Sequence, residues 1–442
     1  MSGEPFRQAL DGDWSLGVGV RAVAAAMPDK PAFTVLADGE TIVARLSYAE
    51  LDARACALGA RLADHVAPGA RVLVACNPGV DFITAFLGIA YCGAVPVPVP
   101  VPRFANQARR IEAIVADAGA AAIVTRELGP LALPASVRQF APDGGDVVPD
   151  WVPTPAPPDS LALLQYTSGS TGAPKGVTVT HANLAANSEL LRRTLGYDEL
   201  SVSLTWLPPS HDMGLIEGLL QPILHGVGAI VLPSEAFLRR PIRWLQAITR
   251  FGVTHSGGPN FAYQLCVDRA RAAERAALDL SSWRLAYAGA EPIRYEILDR
   301  FARAFAESGF RRSALNASYG LAEATLLVSN GPAEPVTLDA AALEAGRVVH
   351  VRAGAPGSRT MVRCGRPDPE LAVSIRDPSS RQRRAANRVG EICLSGASVS
   401  RGYWAGEAEP PNAPEFWDDD GTRWLRTGRS WCSRTTTGCR SR

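Results

Sequence analysis

The run Tyr166-Thr-Ser-Gly-Ser-Thr-Gly-Ala-Pro-Lys-Gly-Val177 collects three glycines, four serine or threonine hydroxyls and one lysine within twelve residues. Gly169, Gly172 and Gly176 let backbone N–H groups point into one concavity, which is the geometry of an anion-binding nest. Thr167, Ser168, Ser170 and Thr171 add hydroxyl donors for phosphate oxygens, and Lys175 adds a point charge suited to a polyphosphate. A Walker P-loop is excluded, because Pro174 stands where that motif needs Gly and Gly176 where it needs Ser or Thr. A serine-hydrolase elbow is excluded as well: neither Ser168 nor Ser170 has Gly two positions away on both sides. The plain alternative is a flexible Ser/Gly linker. Against it, the run is framed by the apolar LLQY and VTV segments and carries a Pro-Lys pair.

The elements that must position this loop follow from the hydrophobic pattern. Ser47-Tyr-Ala-Glu50 has the form of a capping box, and Leu51, Ala55, Leu58 and Leu62 recur behind it at helical spacing. Strand-like runs occupy Arg71 to Cys76, Ala121 to Thr125, Ala162 to Tyr166, Ser203 to Leu207, Ala229 to Leu232 and Arg284 to Ala288. Helical segments are expected from about Asp81 to Cys92, from Arg110 to Gly119 and from near Ala182. Strands alternating with helices predict α/β layers with mostly parallel sheets. Val152 to Asp159 reads as a Pro-rich connector. From Leu371 the pattern changes to short strands, at Leu371 to Arg376 and Val389 to Leu394, which predicts a small β subdomain.

Composition bounds the function. The 442 residues are 47% hydrophobic and 20% charged, with a formal net charge of +1. That charge offers no basic face for nucleic acid. The uncharged stretch Phe82 to Pro102 is long enough to span a bilayer, but Pro96, Pro98, Pro100 and Pro102 forbid helix in its second half. A buried helix followed by an extended Val-Pro connector is expected, with no stable membrane insertion. Glu4, Asp11 and Asp13 make the first residues unlike a signal peptide, so the expected location is cytoplasmic. Cys56, Cys76, Cys92, Cys266, Cys364 and Cys393 lack metal-ligand spacing and read as small apolar residues.

Two further residue types could do chemistry. His211, in Trp206-Leu-Pro-Pro-Ser-His-Asp-Met-Gly214, lies beside Asp212 as either a satisfied structural pair or a site group. Glu323, in isolation, would be a solvated carboxylate at a helix end.

With these residues in view, the phosphate run resembles the signature of the adenylate-forming, AMP-binding superfamily. Asn316-Ala-Ser-Tyr-Gly-Leu-Ala-Glu-Ala324 resembles its adenine-and-magnesium segment, and Gly289-Ala-Glu-Pro292 its adenine-side loop. Val389-Gly-Glu-Ile-Cys-Leu-Ser-Gly396 with Gly402-Tyr-Trp404 resembles the run before the interdomain hinge. The similarity extends from about Leu46 to Gly428. It implies the large N-terminal domain of such an enzyme, with layered α/β sheets plus a small β subdomain. The implied boundaries are 1–366 for the AMP-binding part, in two α/β subdomains, and 367–428 for the β-rich part.

The resemblance implies ATP and Mg2+ as cofactors and assigns roles residue by residue. Thr167 to Lys175 would hold phosphates. Gly289, Ala290, Glu291, Asn316, Tyr319 and Gly320 would surround the adenine, and Glu323 with Thr167 would bind magnesium. His211, Asp212, Met213 and Gly214, with Gly258, Pro259 and Phe261, would line the acyl site. There His211 is expected to gate substrate rather than act as a base, since a carboxylate is already a nucleophile at neutral pH. The implied reaction is in-line attack of a carboxylate on the α-phosphorus of ATP, with pyrophosphate leaving.

Within the superfamily, His211-Asp-Met-Gly-Leu-Ile216 and Gly257-Gly-Pro-Asn-Phe-Ala-Tyr263 resemble the versions found in fatty acyl-AMP ligases. The stretch 334–363 resembles the insertion of that group, which hinders CoA use and leaves an acyl carrier protein of a polyketide or peptide synthetase as acceptor. An acyl-CoA synthetase is the alternative. Trp424-Leu-Arg-Thr-Gly428 resembles the entry to the ribose-binding motif, but Arg429 stands where Asp is expected. Residues 429–442 have no apolar period and no acidic group. The expectation is a chain cut short before the small C-terminal domain, read out of frame after codon 428 and impaired as a catalyst. A noncatalytic module that binds nucleotide or acid is the other open class.

Overall fold

Alternating apolar runs and helix-period segments fold into two units in this computed structural model, which describes residue 4 and residues 14–143, 151–167, 174–405, 416–419 and 421–432. Unit 1 comprises residues 1–192, 196–235 and 400–413, and unit 2 comprises 193–195, 236–399 and 414–442. The loop residues Ser168, Gly169, Ser170, Thr171 and Gly172 lie outside the described residues, as does the tail from residue 433.

In unit 1, β1 (Pro31–Leu36) and β2 (Ile42–Ser47) form an antiparallel pair. Ser47 and Glu50 cap the next helix reciprocally, as their spacing predicts, over Tyr48–Ala63. β3 (Arg71–Val74), β4 (Val95–Pro98), β5 (Ala122–Val124) and β6 (Arg138–Phe140) form a parallel sheet in the order β4-β3-β5-β6. The helix Val80–Tyr91 is buried along most of its length, and no helix among the described residues is long and apolar enough to cross a membrane.

The Val-Pro stretch corrects one expectation: it is a paired strand rather than a free connector. Its valines carry the pairing, with Val95 N–H donating to Ala70 O (2.8 Å) and Val99 N–H to Val74 O (3.0 Å). The alternating prolines, which lack a donor, are tolerated because β4 is an edge strand. The following helix also begins earlier than its apolar period indicates, at Ala105 rather than Arg110.

β7 (Leu161–Thr167) and β8 (Lys175–Thr180) make an antiparallel hairpin around the phosphate run. The helix His181–Leu195 follows directly. β9 (Ser203–Thr205), β10 (Ala229–Val231) and β1 pair in parallel. Between β9 and β10 lies a π-helix, Met213–Leu220, immediately after His211.

In unit 2, β11 (His255–Gly258), β12 (Leu285–Ala288) and β13 (Leu315–Gly320) run parallel. β14 (Leu327–Pro332) returns antiparallel to β13. An aromatic core of Trp244, Tyr263, Trp283, Phe301 and Phe310 packs mostly edge to face, with centroids 5.0–6.4 Å apart. Within 334–363, β15 (Pro335–Asp339) and β16 (Ser358–Val362) pair around a small core of Val336, Leu338 and Val348. β17 (Arg366–Pro367) joins β14.

β18 (Ala372–Arg376), β19 (Val389–Ser395), β20 (Phe416–Asp419) and β21 (Thr422–Cys432) complete an antiparallel sheet in the order β18-β19-β21-β20. The loss of pattern at Gly428 does not end this sheet. β21 continues to Cys432, with Gly390 opposite Trp431 and Val389 opposite Cys432. Pairing with β19 overrides the absence of an apolar period there.

Cys76, Cys92, Cys266 and Cys393 are buried as expected, and burial pushes the Cys76 and Cys393 thiols up to about 12. Cys56 is only half-buried.

Candidate functional site

The strand pairing of unit 1 brings Thr167 and Lys175 opposite one another at the loop end of the β7–β8 hairpin. A Cβ on Gly176 would lie 2.9 Å from the Tyr166 Cζ, so a larger residue there would have to displace the ring. Burial, and then the hydrogen bond from its hydroxyl to Asp117, hold the Tyr166 phenol well above its usual range and therefore neutral.

One strand position before Tyr166, the buried Gln165 donates from Nε2 to Ser210 O at 2.8 Å. The turn carrying His211 is thereby fastened to the strand that leads into the phosphate run. His211 itself is exposed, and the Asp212 carboxylate accepts from Met213 N–H at 2.7 Å. Pro208 O accepts from His211 N–H (3.1 Å) and His211 O accepts from Leu215 N–H (2.9 Å), which winds the turn into the π-helix. Gly214 is buried there, and a Cβ on it would lie 2.2 Å from Pro208 O.

Sequence reasoning missed Gln165, Tyr403 and Trp404 as site residues. Trp404 N–H donates to Gly176 O (2.6 Å), and Gly402 O accepts from both the N–H (2.9 Å) and the hydroxyl (2.8 Å) of Thr178. Tyr403 sits opposite Val177, with the Lys175 ammonium 5.2 Å from its ring centroid. The Gly-Tyr-Trp run was visible in the sequence, but nothing local indicates which strand it joins.

In unit 2, β11 and β12 end side by side, with Gly258 opposite Ala288, while β13, paired at Ala317 with Ala288, runs on to Gly320. The loops beyond the carboxyl ends of parallel strands are the usual place for a ligand in α/β sheets. Gly258, Pro259 and Phe261 leave β11, Gly289, Ala290 and Glu291 leave β12, and Tyr319, Gly320 and Glu323 lie at or beyond the end of β13. Glu291 accepts from Phe261 N–H at 2.9 Å and so ties the first two loops together. Phe261 is 39% exposed, which leaves an aromatic face open beside that tie.

Asn316 is held within β13 and β14: its Nδ2 donates to Ala314 O (3.0 Å) and its Oδ1 accepts from Asn330 Nδ2 (3.3 Å). Tyr319 is buried. Glu323 rides on a single 3-10 turn, Ala322–Ala324, closed by Leu321 N–H donating to Leu326 O (2.9 Å). Gly320 permits that closure, since a Cβ there would meet Leu326 O at 2.0 Å. The next residue, buried Thr325, has φ 66°, a strained conformation for a β-branched residue, and its hydroxyl donates to Ser398 O (2.7 Å). The half-buried Glu323 carboxylate is thus presented on a turn fixed on both sides.

Carboxylate and hydroxyl oxygens, as on Glu323 and Thr167, suit a hard cation such as Mg2+. Among the described residues no three His, Cys, Asp or Glu converge on a metal-sized site. A groove of about 340 Å³ in unit 1, lined by Lys30, Arg45 and Glu199, contains none of these residues.

A family model described as AMP-binding enzyme matches residues 20–404. A medium-chain-fatty-acid–acyl-carrier-protein ligase of Moorena producens is 41% identical over 396 residues, covering 85% of this chain and 67% of that protein. A long-chain-fatty-acid–AMP ligase of Mycolicibacterium smegmatis is 36% identical over 420 residues, covering 87% and 66% respectively. The chain therefore spans about two thirds of the length of these relatives. Among solved structures, the fatty acyl-adenylate ligase from L. pneumophila in complex with acyl adenylate and pyrophosphate is 35% identical, with a TM-score of 0.89 over 98% of this chain and 77% of that one. An adenylation domain of a keto acid-selecting synthetase module, 21% identical with a TM-score of 0.88, shares the fold. With a family match over most of its length and relatives of 41% and 36% identity, this chain belongs to the AMP-binding enzyme family, among relatives that ligate fatty acids to AMP or to acyl carrier protein.

Proposed function

We propose that this chain activates a fatty acid with ATP, giving an acyl adenylate and pyrophosphate, for transfer to an acyl carrier protein. The observation that carries the reading is the likeness to the 35% identical L. pneumophila fatty acyl-adenylate ligase, a structure in complex with acyl adenylate and pyrophosphate. In this reading the Lys175 ammonium and the N–H groups of the loop neutralise phosphate charge and orient the α-phosphorus for in-line attack. Glu323 and Thr167 would contribute oxygens to Mg2+, which when bound supplies further charge neutralisation on the phosphates. Gly289 to Glu291, Asn316, Tyr319 and Gly320 would form the adenine side. His211 to Gly214, with Gly258, Pro259 and Phe261, would form the acyl side, where His211 gates entry and no general base is needed.

The choice of carrier protein over CoA is supported by the likeness to the acyl-carrier-protein ligase of Moorena producens and by the folded stretch 334–363. That stretch has its own small core and is joined to the β18–β19 sheet by Val348 N–H donating to Asn387 O and Val389 N–H to Gly346 O (2.9 Å each). The cytoplasm is the compartment this reading implies.

The test incubates the chain with laurate, ATP and Mg2+ and measures acid-dependent pyrophosphate release, then adds CoA or an acyl carrier protein and identifies the thioester. Acyl-AMP with transfer to the carrier is the expected result. Abundant acyl-CoA would overturn the choice of acceptor. Binding of ATP and laurate with no pyrophosphate release would make the chain a noncatalytic binding module.

A further inference from the structure

We infer that Tyr403 is a positioning residue for Lys175, its ring holding the ammonium ready for a polyphosphate; the inference rests on the ATP-using function proposed above. The ammonium lies 5.2 Å from the ring centroid, inside the roughly 6 Å range over which an aromatic face attracts a cation. Strand register makes the contact systematic. Lys175 and Val177 are two residues apart on β8 and share a face, and Tyr403 pairs antiparallel with Val177. Lys175 and Tyr403 are therefore diagonal neighbours, a separation that long and aromatic side chains bridge.

Both neighbours of Tyr403 are anchored. Gly402 O accepts twice from Thr178, and Trp404 N–H donates to Gly176 O. The Trp404 indole donates to Asp117 O (3.1 Å), and the Arg71 guanidinium lies 4.8 Å from its ring centroid. Asp117 in turn accepts from the Tyr166 hydroxyl, on the strand opposite Lys175. The ring is thus carried on the same hydrogen-bonded frame as the lysine it faces.

What the ring supplies is attraction without a counter-charge. A carboxylate in its place would hold the ammonium more strongly but would compete with the incoming phosphate. Among the described residues no carboxylate pairs with Lys175. The flexible four-carbon stem of lysine would otherwise sample many rotamers, and narrowing them beforehand lowers the entropic cost of binding.

The test is a double-mutant cycle on ATP binding, read by calorimetry with Mg2+, with a thermal unfolding curve for each variant. Tyr403→Leu is expected to weaken ATP binding about two- to fivefold. Tyr403→Phe, which keeps the ring, stays within about a factor of two of the unsubstituted chain. In a Lys175→Met background, Tyr403→Leu has no further effect on ATP affinity. Equal loss in both backgrounds would show that the ring only supports the fold, and would overturn the inference. If Lys175→Met weakens binding but Tyr403→Leu does not, the inference falls and the proposed function stands. If the unsubstituted chain binds no ATP, both fall.

Discussion

Replacing Gly214 by alanine tests whether the His211 turn is held as rigidly as its contacts indicate. The added Cβ would lie 2.2 Å from Pro208 O and 2.8 Å from Pro208 C, against the 3.4 Å at which ordinary contact begins. The obstacle is backbone, so no side-chain rotation relieves it. Pro208 O also accepts from His211 N–H, and moving it by about 1 Å opens the turn that carries the histidine. Overpacking of this kind costs about 1–3 kcal/mol, and a backbone obstacle belongs at the upper end. Alanine recovers up to about 1 kcal/mol over glycine in a helix.

The net expectation is a loss of about 2 kcal/mol in urea unfolding. It should be accompanied by weaker laurate binding and little change in ATP binding. Gly218→Ala is the control in the same π-helix. Its Cβ meets the Thr205 side chain at 2.7 Å, so stability should fall while laurate binding persists. If Gly214→Ala keeps its stability within about 0.5 kcal/mol and binds laurate normally, the turn is not constrained as described and the reasoning is refuted.

Two further outcomes are expected. His181 is buried, its Nδ1 accepts from Leu16 N–H at 3.1 Å, and burial lowers its pKa from 6.5 to about 4. Between these values the unfolded chain binds the extra proton, so stability falls as pH drops from about 6.5 to about 4, by up to about 3 kcal/mol. His181→Asn, which keeps an acceptor but does not titrate, should flatten the pH dependence of urea unfolding in that window; an unchanged slope would count against the assignment. In the β18–β21 sheet, Glu391 accepts from Arg426 Nε (2.7 Å) and Gly428 N–H (3.0 Å), with side-chain exposure of 8% for the glutamate and 20% for the arginine. Glu391→Gln should cost about 2 kcal/mol and loosen the sheet, as read by tryptophan fluorescence, since Trp417 and Trp424 stack there. Unaltered fluorescence and stability would show the pair to be dispensable.

Several features of this protein were set by short-range chemistry and were legible in the chain alone. The Ser47–Glu50 capping box needs only four residues, and it forms as its spacing requires. The strands at 161–167, 203–205, 229–231 and 285–288 follow from runs of apolar residues that bury on both faces. The phosphate run and the order of the later motifs sufficed for the family, because loops that approach phosphate closely admit few residue types.

Tertiary pairing decided the rest. Prolines that read as a connector became an edge strand because β3 was there to accept the valine N–H groups. The polar first turn of the helix at Ala105 has no apolar period of its own and is held by what Ala108 and Ile111 bury. Arg429 to Cys432 extend a strand because Val389 to Glu391 lie opposite. Thr325 occupies a conformation that its own side chain disfavours, stabilised by Ser398 from far along the chain. Tyr403 faces Lys175 through a register joining segments that are 224 residues apart at Thr178 and Gly402. A hydrogen bond to a distant strand stabilises a segment as much as a local one does, yet it leaves no mark on that segment's composition or period.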